Sequence, residues 1–454
     1  MRERRLVAIV TACATTVCGK ADASGFSIAS FGGEHGTPTT TNATALYYNP
    51  AGIADSEGGH FYVDSNTAWR YATFNRPAAP SDSPVAADAL GANTGHASLL
   101  NVIPSPFIGA TYRLGRFALG GAFYTPFGGQ SVWNKNDHFA NSNTYPGAVD
   151  GVQRWWAISG VLRSSFYTLG AAYDFGRLSV GVTGNLIQTT VALSEAREPS
   201  GENDLRSEGR SVIDVGSWDA SFGLGVTYDL IPGKVKLGAS YQSRPGVSGG
   251  IVTTGTLKTL LVNGALDDNR VAFTTDLPDV FRAGVAYRPR PDVELRFFGD
   301  FQTWSVLERQ CAYLEGSSCD LNPDGSAKAG SDVIVNQPRR WKDTFGLRGS
   351  ASFFPARRIE LLAGMGYSSN AIPDATYEPG VLDANAATFS LGSIFTVVER
   401  LALGLGYMQL LYFPRDTAGK NESATFVSPS RAPDGGGSYR MLAGVANASV
   451  DFAF

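Results

Sequence analysis

Three arginines stand at polar positions of alternating segments. Arg282 lies between Phe281 and Ala283, Arg296 between Leu295 and Phe297, and Arg348 between Leu347 and Gly349. Neighbours in an extended strand point to opposite faces. All three guanidinium groups therefore leave the face that carries the large apolar side chains. A guanidinium screened from bulk water holds a carboxylate through two charge-assisted hydrogen bonds. Lys236, flanked by Val235 and Leu237, is placed to join them. The same faces also carry Glu294, Asp300, Glu360 and Asp219, so a structural reading stands beside the first: the arginines pair with these acids and knit a wall. For the set, a carboxylate ligand is favoured over a neutral one, because a neutral ligand gives no reason to leave any arginine unpaired. Other chemistry is sparse. His35, His60, His96 and His138 are scattered without metal-ligand spacing. No cofactor, metal or catalytic residue is expected. Cys311 and Cys319, eight positions apart, are expected to form a disulfide that closes an outer loop.

The elements that must position the arginines are strands. Alternation runs in segments of about ten residues. In 218–228, Trp218, Ala220, Phe222, Leu224, Val226 and Tyr228 share one face; Asp219, Ser221, Gly223, Gly225 and Thr227 share the other. The pattern recurs in 117–123, 293–303, 343–353, 359–367 and 401–407, and at the end of the chain, where Ala448, Val450, Phe452 and Phe454 alternate with Asn447, Ser449 and Asp451. Short connections, such as 114–116, 174–177 and 398–400, alternate with long ones near 76–104, 125–163, 195–215, 250–270, 308–341, 370–386 and 414–437. Short turns on one side and long loops on the other predict an all-β, transmembrane, antiparallel up-and-down barrel in a bacterial outer membrane. About fourteen strands are expected: 59–75, 105–114, 116–124, 164–174, 177–193, 216–229, 234–247, 271–288, 292–306, 342–354, 358–369, 387–397, 400–413 and 438–454. No apolar run beyond residue 23 reaches the ~20 residues of a membrane helix. A net charge of −4 argues against nucleic acid as a partner.

Ahead of the barrel, residues 56–454, come two other segments. Residues 1–23 read as an export signal: Arg2, Arg4 and Arg5, an apolar stretch from Leu6 to Cys18, then Ala21-Asp22-Ala23. Residues 24–55 are rich in Gly, Thr, Ser, Ala and Asn and end in Tyr47-Tyr48-Asn49-Pro50-Ala51-Gly52. They form either a surface arm or a plug inside the lumen, where their backbone polar groups would find partners. A general porin for polar solutes, a plugged transporter and a barrel enzyme are the competing classes. The scattered histidines disfavour the enzyme, and an open porin needs no lead-in of this kind.

Several stretches resemble the FadL family: Ser24-Gly25-Phe26, Asn49-Pro50-Ala51, Leu277-Pro278-Asp279-Val280-Phe281, Trp304-Ser305, Trp341-Lys342-Asp343-Thr344-Phe345 and Asn370-Ala371-Ile372-Pro373-Asp374. These are outer-membrane transporters of long-chain fatty acids, with toluene-type hydrocarbon transporters as relatives. The resemblance implies fourteen strands and an N-terminal hatch containing Asn49, Pro50 and Ala51. It implies capture of a hydrophobic ligand by outer loops, then passage to an interior pocket. Hatch movement and a kinked third strand then release it sideways into outer-membrane lipid. Gly120 and Gly121, with Pro126, Gly128 and Gly129 beyond them, are placed to supply the kink; ordinary barrel curvature is the alternative. The loop segments 195–215 and 250–270 are short for a capture groove. Leu257, Leu260 and Leu261 offer either a reduced groove on a short helix or a buried loop anchor. Transport is expected to be passive and the protein a monomer.

Overall fold

The computed structural model describes residues 29–77, 91–198, 201, 203–246 and 250–454. The expected export signal and the Ser24-Gly25-Phe26 stretch lie outside these residues. The strands of the chain form one antiparallel sheet. They are β1 (Gly59–Asp64), β2 (Thr67–Arg76), β3 (Gly95–Pro104), β4 (Phe107–Leu114), β5 (Phe117–Val132), β6 (Ser159–Asp174), β7 (Leu178–Arg197), β8 (Gly209–Ile231), β9 (Val235–Gln242), β10 (Ile251–Leu260), β11 (Leu266–Thr275), β12 (Val280–Arg290), β13 (Val293–Gln302), β14 (Arg309–Leu314), β15 (Val333–Pro338), β16 (Thr344–Ala356), β17 (Ile359–Ser368), β18 (Ala386–Val398), β19 (Leu401–Tyr412), β20 (Arg415–Asp416) and β21 (Ser438–Ala453). Most neighbours in the sheet are consecutive strands, and the rest, such as β8 with β10, β9 with β12 and β13 with β16, skip over short intervening strands. Both β1 and β2 pair with β21, which closes the sheet into a barrel of fourteen staves. Closure removes the free edges that lipid would not tolerate.

The wall follows the alternation of the sequence. Along β8, Trp218, Phe222, Leu224, Val226 and Tyr228 are exposed, whereas Ser221 and Thr227 are buried inward. Exposed apolar side chains recur on every long strand and form the surface that meets lipid. No helix among the described residues is long and apolar enough to cross a membrane.

The staves are more broken than the sequence suggests. β1 and β2 together make the first stave, interrupted at Ser65-Asn66, and β3 and β4 the second, interrupted at Ser105-Pro106. The expected loop 76–104 thus ends in strand β3. The expected loop 250–270 is instead the β10–β11 hairpin, and no helix forms at Leu257, Leu260 and Leu261. Their spacing suits a helix, but Thr253, Thr254, Thr256 and Thr259 favour a strand, and β10 finds a full ladder on β11 and pairs with β8 from Thr254 to Leu260. Within the expected loop 308–341, β14 pairs with β11 and β15 with β14. The Cys311–Cys319 disulfide lies at this end. β7 and β8 run on to Arg197 and Gly209, so the connection expected over 195–215 shrinks.

Interruptions between β11 and β12, β13 and β14, and β15 and β16 fold inward. They bury Leu277, Trp304 and Trp341 at 0–3% exposure, and the two indole rings lie 5.1 Å apart. These are three of the stretches that carry the family resemblance. They narrow the lumen from the wall side.

Candidate functional site

Residues 29–56 touch the barrel on opposite sides and so lie across its lumen. Gly32 N donates to Asp64 Oδ2 (2.5 Å) and Asn447 Nδ2 to Ser30 O (2.9 Å), both on the β1–β21 side. Glu34 accepts from Ser390 on β18, and His35 Nε2 lies 3.0 Å from Glu360 Oε1 on β17. Across the lumen, Asn49 Nδ2 donates to Val226 O of β8 (2.9 Å) and to Pro38 O (2.7 Å), while its Oδ1 accepts from Ala51 N (3.2 Å). Asn49 thereby ties two turns of the segment to each other and to the wall, and Pro50 opens the next turn with its missing N–H in a harmless place. The lower end is bolted by Asp55, whose Oδ2 accepts from Lys236 Nζ (2.5 Å) and Thr227 Oγ1 (3.3 Å). Arg113 holds Ala54 O and pairs with Asp174 at 2.8 Å.

Inward glycines make the seat. A Cβ on Gly181 would lie 2.3 Å from Pro50 C, one on Gly225 2.0 Å from Asn49 Oδ1, one on Gly238 2.1 Å from Pro38 O, and one on Gly170 2.5 Å from Leu46 Cδ2. Gly120 belongs to this set, since its Cβ would approach Leu46 Cδ1 at 3.1 Å. Gly120 and Gly121 are both in regular register with β4 and β6. The irregularity of β5 falls later, between Tyr124 and Phe127, where Pro126 withholds an N–H from the ladder. The two glycines are thus not the kink.

Above the segment lies a cavity of about 220 Å³. Its apolar wall comprises Leu162, Val191, Ile213, Leu257 and Ala312, which pack into one cluster from five strands. Ala29 and Ser30 reach its floor, and Trp156, Val381 and Leu382 belong to long outer loops folded over it. Leu257 is therefore a cavity residue, 4% exposed, while Leu260 is 48% exposed and Leu261 sits in the hairpin turn. No exposed groove joins the three.

The predicted arginines all face inward, but they do different things. Arg296 Nη2 pairs with Glu294 (2.7 Å) and Glu360 (3.5 Å), and its Nη1 donates to Ser352 Oγ (2.8 Å). Arg282 donates to Tyr47 O (3.2 Å) and lies 4.4 Å above the Tyr47 ring, so it grips the lumen segment. Arg348 faces both the large cavity and a smaller one of about 60 Å³ that it shares with Arg282. Its Nε is buried without a hydrogen-bond partner, and no carboxylate pairs with it among the described residues. Lys236 serves Asp55 and does not reach the cavity. Sequence reasoning missed five charged cavity residues, Arg70, Glu195, Arg339, Glu378 and Asp383. Arg339 and Glu378 form a buried pair at 2.8 Å; Arg70 and Glu195 each keep one side-chain atom without a partner. Arg70 lay within reach, since Trp69 and Tyr71 flank it as Leu347 and Gly349 flank Arg348.

Comparison with solved structures places this architecture. A Pseudomonas aeruginosa FadL homologue matches with a TM-score of 0.75 at 16% identity, over 95% of this chain and all of that one. The Ralstonia pickettii toluene transporter TbuX matches at TM-score 0.63 and 15% identity, over 96% and 99% of the two chains. The Pseudomonas putida toluene transporter TodX gives 0.62 and 14%, over 96% and 99%. No curated protein sequence matches the chain. The family model for outer membrane protein transport proteins (OMPP1/FadL/TodX) matches residues 5–443. A fourteen-stave barrel crossed by its own N-terminal segment and a family model spanning nearly the whole sequence lead to one assignment: the chain belongs to the OMPP1/FadL/TodX family of outer-membrane transport proteins.

Proposed function

We propose that the protein carries long-chain fatty acids passively across the outer membrane. The ligand enters through the outer loops, rests in the cavity above the hatch, and leaves sideways through the wall when the hatch shifts. The observation that carries this reading is Arg348. It is a half-buried guanidinium whose Nε is shut off from water. It faces an apolar cavity with the Phe298 ring beside it and, among the described residues, no carboxylate paired with it, so it is left underpaired unless a ligand supplies one. An acyl chain gains about 0.8 kcal/mol for each CH₂ it buries, so the apolar wall holds the tail and lateral release spares it a return to water.

A neutral aromatic hydrocarbon is the second reading. The apolar lining favours it, and the cavity exceeds the ~150 Å³ that suffices for benzene in an apolar core. Trp156 and Trp341 line the cavity and report binding by fluorescence. Palmitate should bind the purified protein at least tenfold more tightly than methyl palmitate or toluene, and Arg348→Ala should abolish the difference. Equal binding of acid and ester, unchanged in Arg348→Ala, would hand the function to the hydrocarbon reading.

A further inference from the structure

The barrel wall has a seam beside the cavity. β4 pairs with β5 from Leu114↔Phe117 to Phe107↔Tyr124. Beyond that point β3 continues the second stave and pairs with β2, while Phe127–Val132 of β5 pairs with β6. No backbone ladder joins β3 to β5 among the described residues. Side chains and one backbone hydrogen bond span the gap instead. Asn101 Oδ1 accepts from Val132 N (3.1 Å) and its Nδ2 donates to Val132 O (3.0 Å), in the manner of a strand residue. Asn134 N donates to Ser98 O (2.9 Å) and Asn134 Nδ2 to Ser98 Oγ (3.0 Å). Ser105 Oγ donates to Thr125 O (2.6 Å). From β2, Arg70 reaches behind β3 and donates through Nη2 to Gln130 O and to Ser131 Oγ (3.2 Å).

Both banks of this seam line the large cavity, with Ile103 on one side and Gly128, Gly129 and Ser131 on the other. Arg70 lines it too, and its Nε is buried without a partner. The guanidinium is thus shared between β5 and the space a ligand would fill. We propose that Arg70 is a ligand-sensitive latch: on its way out from Arg348, a hydrophobic carboxylate draws the Arg70 guanidinium from Gln130 O and Ser131 Oγ, and the seam between β3 and β5 parts. A carboxylate is the stronger acceptor, since both partners are then charged, whereas a carbonyl and a hydroxyl are neutral. An amphiphile without a negative head fills the cavity but leaves the latch in place. This rests on the reading that the ligand is a fatty acid released through the wall.

Cross-linking across the seam tests it. The Ser98 and Asn134 side chains meet at 3.0 Å, so Ser98→Cys/Asn134→Cys should form a disulfide readily when the seam is shut. With the purified protein in lipid nanodiscs, palmitate should slow this cross-link about tenfold, the factor expected for losing one charge-assisted hydrogen bond. Hexadecanol should leave the rate unchanged. In an added Arg70→Gln background, palmitate and hexadecanol should act alike. Tryptophan fluorescence on the same samples reports binding. Palmitate that binds without slowing the cross-link would overturn the latch alone. Palmitate that does not bind would overturn the latch together with the fatty-acid reading. Equal slowing by palmitate and hexadecanol would also overturn it, by showing that cavity filling and not the carboxylate opens the seam.

Discussion

Single side chains divide into those that fasten and those left open. Arg282 and Arg296 fasten, one to Tyr47 and the other to Glu294 and Ser352; Arg348 is open. Alternation alone sent all three inward, because side-chain direction depends only on local spacing. Which of them would be occupied depended on register between distant strands, as with Glu360 and His35, and single-strand patterns do not carry register. Arg339 was hidden for another reason: it lies between β15 and β16, where no period marks it. The outer cap holds a titrating group, Asp383. Burial pushes its carboxyl up to about 6, although it accepts from Ala371 N (2.6 Å). A value raised in the folded state means the native chain binds the proton more tightly. Stability is therefore gained as pH falls through the window from about 6 toward the ordinary 3.8, and lost as pH rises through it. Asp383→Asn removes the buried charge and keeps the shape. It should raise stability at neutral pH by on the order of 1–3 kcal/mol and lose its advantage near pH 4. Thermal unfolding in detergent at both pH values checks this, and parallel shifts of wild type and variant at both would contradict it.

Elements show a similar split. The short turns were legible from Gly, Asp and Arg clusters, and the order of strands followed from them. The breaks inside staves were not, because Ser65-Asn66 and Ser105-Pro106 look like ordinary strand ends until their partners are known. Leu257, Leu260 and Leu261 misled by their helical spacing, since the ladder of β10 on β8 is a non-local fact. The lumen segment was legible by composition, and its seat explains why so many glycines face inward. Its contacts fix an element-scale expectation. Gly181→Val places side-chain atoms where Pro50 and Ala51 now lie, so the barrel should fold while the hatch is displaced. Single-channel conductance in planar bilayers should rise for Gly181→Val and rise further when residues 24–55 are deleted. Unchanged conductance in both would mean that the segment does not plug the pore.

The whole molecule is a lipid-facing shell around a packed interior, with a cavity held between hatch and outer loops. Shell and chain order were plain in the sequence because each strand reports its own two faces. The cavity was not, because its lining comes from more than ten strands and loops that meet only after closure. Orientation follows from the parity of connections. On intact cells, membrane-impermeant maleimide should label a cysteine placed at Gly330 or Gly419 in the long loops and spare one at Gly176 or Gly233 in the short turns; the reverse pattern would invert the barrel. In the proposed function a fatty acid rests in the cavity above the hatch with its carboxylate on Arg348. Crystals grown with ω-bromopalmitate test it most directly, through the anomalous signal of the bromine. Bromine is expected among Leu162, Val191, Ile213 and Leu257, with the carboxylate about 3 Å from the Arg348 guanidinium. Bromine outside this cavity, or a carboxylate remote from Arg348, would contradict it.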